Sequence, residues 1–158
     1  MSFPCPDESN DYLAAHVQIL RDSLRALTGR ELVGRELSAV EAARQIFYAP
    51  YVVLSHNTDA DPILNYANLA GLQLFEMPWD RLITTPSRFT AEAPVRAERE
   101  HLLARVAAQG FIDDYSGVRV SGTGRRFSIN NATVWNLRDS LGSIRGQAAM
   151  FAAWNFLI

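Results

Sequence analysis

The side chains in this sequence that could do chemistry are few and dispersed. Its three histidines, His16, His56 and His101, share none of the close spacing, such as HExxH, that turns two imidazoles toward one metal ion. Cys5 is the only cysteine, which rules out an intrachain disulfide and a cysteine-built metal cage. Asp113 and Asp114 are adjacent, so on a strand they point to opposite faces and share no acid–base site unless a bulge intervenes. SGTG at 121–124 lacks the glycine spacing and following Lys of a phosphate-binding loop, and reads as a tight turn between strands. An enzyme needs a nucleophile with its base, convergent carboxylates or a phosphate loop. None is visible, so a small pocket enzyme ranks third among the readings, and no catalytic or metal-binding residue is assigned.

Binding chemistry has more to work with. In steps of two, Phe127, Ile129, Asn131, Thr133, Trp135 and Leu137 fall on one face of a strand, so a mostly apolar face carries an amide and a hydroxyl at its middle. A buried polar group left unpaired costs about 1–3 kcal/mol, so Asn131 and Thr133 require partners. A bound ligand would supply them; the protein's own backbone, or a β-bulge that turns the pair outward, is the favoured source. Tyr66 has the same two alternatives, its hydroxyl inside a pocket or outside it. Asn68 is placed to cap the helix it precedes.

These positions need elements to hold them. Leu13, Val17, Leu20, Leu24 and Leu27 recur at the spacing of one helix stripe within residues 11–30. Ser38 with Glu41 marks the start of a second helix running toward Tyr48, before Pro50. YVVLSHN and PILNYAN, split by Asn57, Thr58, Asp59 and Asp61, predict a hairpin of two strands. Short helices are predicted at 68–75, with Leu69, Leu72 and Phe75 on one side, and at 79–83. A longer helix from Pro94 to Gln109 carries Val95, Leu102, Leu103 and Val106 and stops at Gly110. The last third reads as three strands, GFIDDYSGVRVS, RRFSINNATVWNLRD and a run from Ser143 to the end.

At 158 residues, 48% of them hydrophobic, the chain suits one compact domain with a filled core. A net charge of −2 and a pI near 5.9 leave no positive excess to neutralise phosphates, so no nucleic-acid partner is expected. All fifteen basic residues are Arg, which reads as the codon bias of a GC-rich bacterial genome. The opening MSFPCPDESNDY has neither a basic start nor an apolar stretch, and no segment approaches the run of about eighteen apolar residues of a membrane span. A cytoplasmic protein with no membrane partner is expected.

The order of two strands, a group of short helices and three strands resembles that of a PAS domain. More specifically, FYAPYVVLSHNTDADPILNYANLAGLQLFEMPWDRLITTPSRFTAE and QGFIDDYSGVRVSGTGRRFSINNATVWNL resemble the MEKHLA family, a PAS-like domain. Plants carry it at the C-terminal end of class III homeodomain leucine-zipper proteins, and some bacteria make it as a stand-alone protein, the form expected here. The resemblance implies an α+β fold: a five-stranded antiparallel sheet with helices over one face, plus an N-terminal helical extension. Residues 1–48 would form that extension, packed on the domain or on a dimer partner, and 49–158 the PAS-like domain. The homeodomain and basic zipper of the plant proteins have no counterpart in this sequence, and the family supplies no established catalytic residue.

The resemblance also frames the cofactor question, which stays open. In the flavin-binding, light-sensing branch of PAS domains, a cysteine in a motif similar to NCRF forms the photoadduct. The matching piece here is PSRF, with Ser87 at that position, and serine lacks the thiol, so flavin adduct chemistry is not expected. His101 lies on the long helix that supplies a haem ligand in some PAS domains. Its neighbours Glu98, Arg99, Glu100 and Arg105 are charged, so a solvent-facing His101 is expected and haem is not.

The leading reading is a small-molecule-binding or sensory module with a pocket between sheet and helices. Its pocket candidates are Tyr66, Leu72, Phe75, Trp79, Asn131, Thr133 and Trp135, around a small apolar ligand with one or two hydrogen-bonding groups. The alternative is a non-catalytic interaction module that forms a homodimer through a seam of Leu13, Val17, Leu20, Leu24 and Leu27.

Overall fold

The computed structural model describes residues 3–91 and 96–158, apart from the side chains of Arg96 and Arg99. A 3-10 turn at Glu8–Leu13 leads into α1, Ala14–Thr28. The helix starts three residues later than the predicted span of 11–30 because Asp11, Tyr12 and Leu13 all hold left-handed backbone, with φ of 56°, 55° and 57°. Gly29, at φ 75°, ends it by donating to Arg25 O, a conformation that costs glycine least. Ser38 caps α2, Ala39–Phe47, by accepting from Glu41 N at 3.2 Å, as its position in the sequence implies.

The hairpin follows as β1, Val52–His56, and β2, Leu64–Ala67. Asn68 then ties three elements together. Its Oδ1 accepts from Gly71 N to cap α3, Leu69–Leu74, and from Val53 N on β1, while its Nδ2 donates to Ile46 O and Tyr51 O. Next come α4, Trp79–Leu82, a 3-10 turn at Ser87–Thr90, and α5, Arg96–Gln109. The start of α5 predicted at Pro94 and Val95 lies outside the described residues.

Four strands complete the chain: β3, Phe111–Val120; β4, Arg126–Arg138; β5, Ile144–Phe151; and β6, Ala153–Phe156. The turn between β3 and β4 is the expected SGTG, with Gly124 at φ 90°, and Glu76 clamps it by accepting from the hydroxyls of Ser121 and Thr123. The sheet is antiparallel in the order β2-β1-β5-β4-β3, with β6 also paired to β4. Six strands stand among the described residues where five were expected, because the last predicted run is interrupted. Thr133 pairs with Met150 and Asn130 with Ala153, so β5 and β6 follow β4 in one register. Between those pairs Asn131 takes φ 54°, and the run divides there.

That left-handed residue also redirects β4. On its N-terminal side Phe127 and Ile129 face the layer that holds α3; beyond it Ala132 and Val134 continue that face, while Thr133, Trp135 and Leu137 turn to the other. The one-face reading of Phe127 through Leu137 therefore fails at a bulge. The helices likewise cover both faces. The face of Val53, Trp135, Leu137 and Ala148 is buried under Val17, Leu20 and Leu24 of α1 and Ala43 and Ile46 of α2. The face of Val52, Phe127, Ile129 and Phe151 meets Leu74 and Phe75 at α3, and Ile112 with Val134 meets Leu102 and Val106 of α5.

Candidate functional site

Between the sheet and α5 lies a cavity of about 70 Å³. Its floor is Ile129, Ala132 and Val134 of β4, its far wall Ala149 and Phe151 of β5, and its roof Leu102 and Leu103 of α5. The bulge at Asn131 creates this floor, because without it Thr133 and Trp135 would occupy the places of Ala132 and Val134. Ala132 there, with Ala149 on the neighbouring strand, leaves space that a Trp would fill. Phe75, Ser87 and Thr90 close one end, Thr90 Oγ1 donating to Ser87 O at 2.7 Å.

The polar side chains on the wall are Ser55, His56, Ser87, Thr90, Tyr115, Arg119 and Gln147. Arg119 of β3 is only 8% exposed. It donates from Nη1 to Val118 O at 3.0 Å, and its guanidinium carbon sits 5.0 Å from the centre of the Tyr115 ring. Burial pulls its pKa below the ordinary value, offset in part by the Tyr115 hydroxyl and, farther away, by Glu98. Among the described residues no Asp or Glu lines the cavity, and none comes within ion-pair distance of Arg119.

At the opposite end an amide pair fastens α5 to the sheet. Asn136 Nδ2 donates to Val106 O at 3.1 Å, Gln147 Nε2 donates to Asn136 Oδ1 at 3.0 Å, and Gln147 Nε2 also reaches Leu103 O at 3.5 Å. Gln147 Oε1 is buried and has no partner among the described residues.

Of the seven pocket candidates named from the sequence, Phe75 alone lines this cavity. Asn131 is exposed, since the bulge it makes throws its side chain outward. Thr133 is buried on the α1 face and is satisfied by the protein itself, accepting from Arg30 Nη1 at 3.3 Å. Trp135 is on that face too, donating from Nε1 to Leu20 O at 3.2 Å. Tyr66, paired with Ser55 across the hairpin, packs on the same α1 side with its ring edge-on to Trp79, 6.1 Å between centres. Its hydroxyl is buried without a partner among the described residues, and burial holds its pKa above the ordinary value. Trp79 donates from Nε1 to Phe3 O, and Leu72 packs against the Tyr66 cluster. A period-two argument has no means of seeing the slip that separates these groups.

The seam candidates have a different fate. Leu13, Val17, Leu20 and Leu24 are between 0% and 8% exposed, buried on the chain's own sheet, and Leu27 at 37% is the one left at the surface. The stripe is thus used up within the chain. Polar pairing reinforces that docking. Ser55 Oγ donates to Asn65 Oδ1 at 2.6 Å, so its oxygen accepts from His16 Nε2 of α1 at 3.0 Å.

Sequence reasoning missed Arg119 and Gln147. Arg119 sits in GVRVS, whose alternation gives no sign of which face is inside, and only the position of α5 decides it. Asp113 and Asp114 lie at a bulge in β3, both exposed, and Asp113 pairs with Arg30 at 2.8 Å. His101 is exposed on α5, and Ser87 lines the cavity. Among the described residues no three His, Cys, Asp or Glu side chains are grouped to hold a metal, and no helix is long and apolar enough to cross a membrane. At about 70 Å³ the cavity is smaller than the roughly 300–1,000 Å³ of pockets that hold drug-sized ligands.

The comparison with known proteins agrees with this geometry. The MEKHLA domain pattern matches residues 14–156, taking in α1 as well as the sheet. Homeobox-leucine zipper protein ATHB-14 of Arabidopsis thaliana is 30% identical over 103 residues, which are 65% of this chain and 12% of the plant protein. The matched region is therefore a small part of that relative. The PAS domain of a Colwellia psychrerythraea protein superposes with a TM-score of 0.57 at 13% identity, covering 74% of this chain and 94% of that one. The light-state dimer of the fungal blue-light photoreceptor Vivid has a TM-score of 0.57 at 15% identity, covering 94% of this chain and 95% of that one. By sequence the chain belongs to the MEKHLA domain family, and by structure it carries the PAS-like fold.

Proposed function

We propose that this chain is a sensory module that binds a small molecule in the cavity between the sheet and α5. The observation that carries the reading is the placement of β4 between two helical layers. Val134 and Asn136 face the cavity side and α5, while Thr133, Trp135 and Leu137, alternating with them, face α1. A ligand against Ala132 and Val134 touches the strand whose opposite face holds α1 through Trp135 and Leu20. Its binding energy would favour one packing of α5 and α1 over another, a population shift that a partner could read.

The dimer-seam alternative has less support, because the leucine stripe it needs is covered by the chain's own sheet. Native mass spectrometry of the purified protein, beside its denatured extract and an absorption spectrum, tests the proposal. A reproducible mass released on denaturation is the expected result. An apo mass, together with no binding from a library of small organic molecules, would sink it.

A further inference from the structure

The geometry points to a short-chain monocarboxylate as the ligand of this cavity, its carboxylate on the Arg119 guanidinium and its carbon tail against Ile129, Ala132 and Val134. This inference rests on the ligand-binding reading above and narrows it to a chemical class. A cation taken out of water is costly unless it is paired. Arg119 is 8% exposed, yet among the described residues the groups that touch it are the carbonyl of its own neighbour Val118 and the Tyr115 side chain, and Glu98 acts on it only from beyond ion-pair distance. Among the described residues the wall of the cavity holds no Asp or Glu. Among the described residues no carboxylate lies within ion-pair distance of Arg119, and a ligand anion would supply that partner.

The kind of anion follows from the remaining wall. A guanidinium offers a planar fork of N–H donors that matches the two oxygens of a carboxylate. Phosphate and sulfate have further oxygens, which Ile129, Ala132, Val134 and Phe151 would leave unpaired; Ser55, His56, Ser87, Thr90, Tyr115 and Gln147 are the other polar side chains on the wall. The cavity holds about 70 Å³, roughly half of the ~150 Å³ that admits benzene in an engineered protein core. That space suits a carboxylate with a tail of two or three carbons and excludes fatty acids and nucleotides.

The test is a titration of the full chain, labelled with 15N, reading the amide shifts of Ala132 and Val134 and the melting temperature. The probes are acetate, propionate and butyrate, with propionamide and 1-propanol as neutral counterparts and inorganic phosphate as an apolar-free anion. Propionate is expected to bind about tenfold or more tighter than propionamide, the difference a charge-assisted hydrogen bond makes. R119Q should erase that preference, R119K should keep part of it, and A132L should abolish binding of every probe by filling the cavity.

If propionamide and propanol bind as well as propionate, the carboxylate inference fails while the pocket reading stands. Equal binding of phosphate, or a preference that survives in A132L, also overturns it, by showing a general or a displaced anion site. If no probe moves either readout, both the inference and the pocket reading fall. Should R119Q not fold, the probe series on the wild type and R119K still decides the outcome.

Discussion

Trp135 of β4 donates its indole N–H to the carbonyl oxygen of Leu20 in α1 across 3.2 Å, and both side chains are 0% exposed. A single contact thus joins the centre of the sheet to the middle of the N-terminal helix. It places α1 in the core of the domain.

Leu20→Asp should therefore unfold or strongly destabilise the chain, by about 3 kcal/mol or more, since it puts a carboxylate into that packed contact. Urea denaturation measures the loss, and sedimentation reports the mass. A stable dimer that turns into an equally stable folded monomer would instead restore the seam reading.

Asn131 holds φ 54°, and its bulge decides which side chains face the cavity. Asn131→Gly should be neutral or stabilising by up to about 1 kcal/mol, because glycine takes that backbone freely. Asn131→Val should cost about 1–3 kcal/mol, since a β-branched residue resists it. Denaturation midpoints of the pair check the bulge; a harmless Val would mean that β4 runs straight.

His16 is buried and accommodated as a neutral ring on Ser55, with its pKa lowered from 6.5 to about 4 by burial and, secondarily, by Arg145. A depressed pKa means that the unfolded chain holds the proton more tightly. This contribution to stability is complete above pH 6.5, falls as the pH drops through the window to about 4, and levels off below. Its full span is about 3 kcal/mol. Urea midpoints between neutral and mildly acid pH should show that slope, and His16→Gln, which keeps a donor for Ser55, should flatten it. An unchanged slope would assign the acid sensitivity to other groups.

Asn136 joins Val106 of α5 to Gln147 of β5. Asn136→Ala should leave the Gln147 Nε2 donor with only its 3.5 Å contact to Leu103 O and cost about 1–2 kcal/mol. Hydrogen exchange should rise selectively along 103–109, with α1 unaffected. Equal protection of α5 in the variant would show that packing alone holds the helix.

Much of the architecture was legible before any coordinates. The stripe from Leu13 to Leu24 gives a helix, Ser38 and Asn68 cap theirs, and SGTG turns a hairpin, because each depends on residues within a few positions of one another. The family resemblance, carried by stretches along most of the chain, pointed to the PAS-like sheet. Six of the seven proposed pocket residues nonetheless lie away from the cavity.

Sequence alone determined most of the elements and their order, though not the division of the last run into β5 and β6, and the absence of close metal-ligand or phosphate-loop spacing. Tertiary structure decided which face each strand shows to which layer. One left-handed residue, Asn131, shifts the period of β4 by a single position, and every side chain beyond it changes sides. Arg119 became a candidate ligand contact only because α5 folds over its face of β3. A local pattern records where apolar residues recur. It carries no information about a slip of one residue or about which distant helix closes over a strand, and those two facts place the cavity.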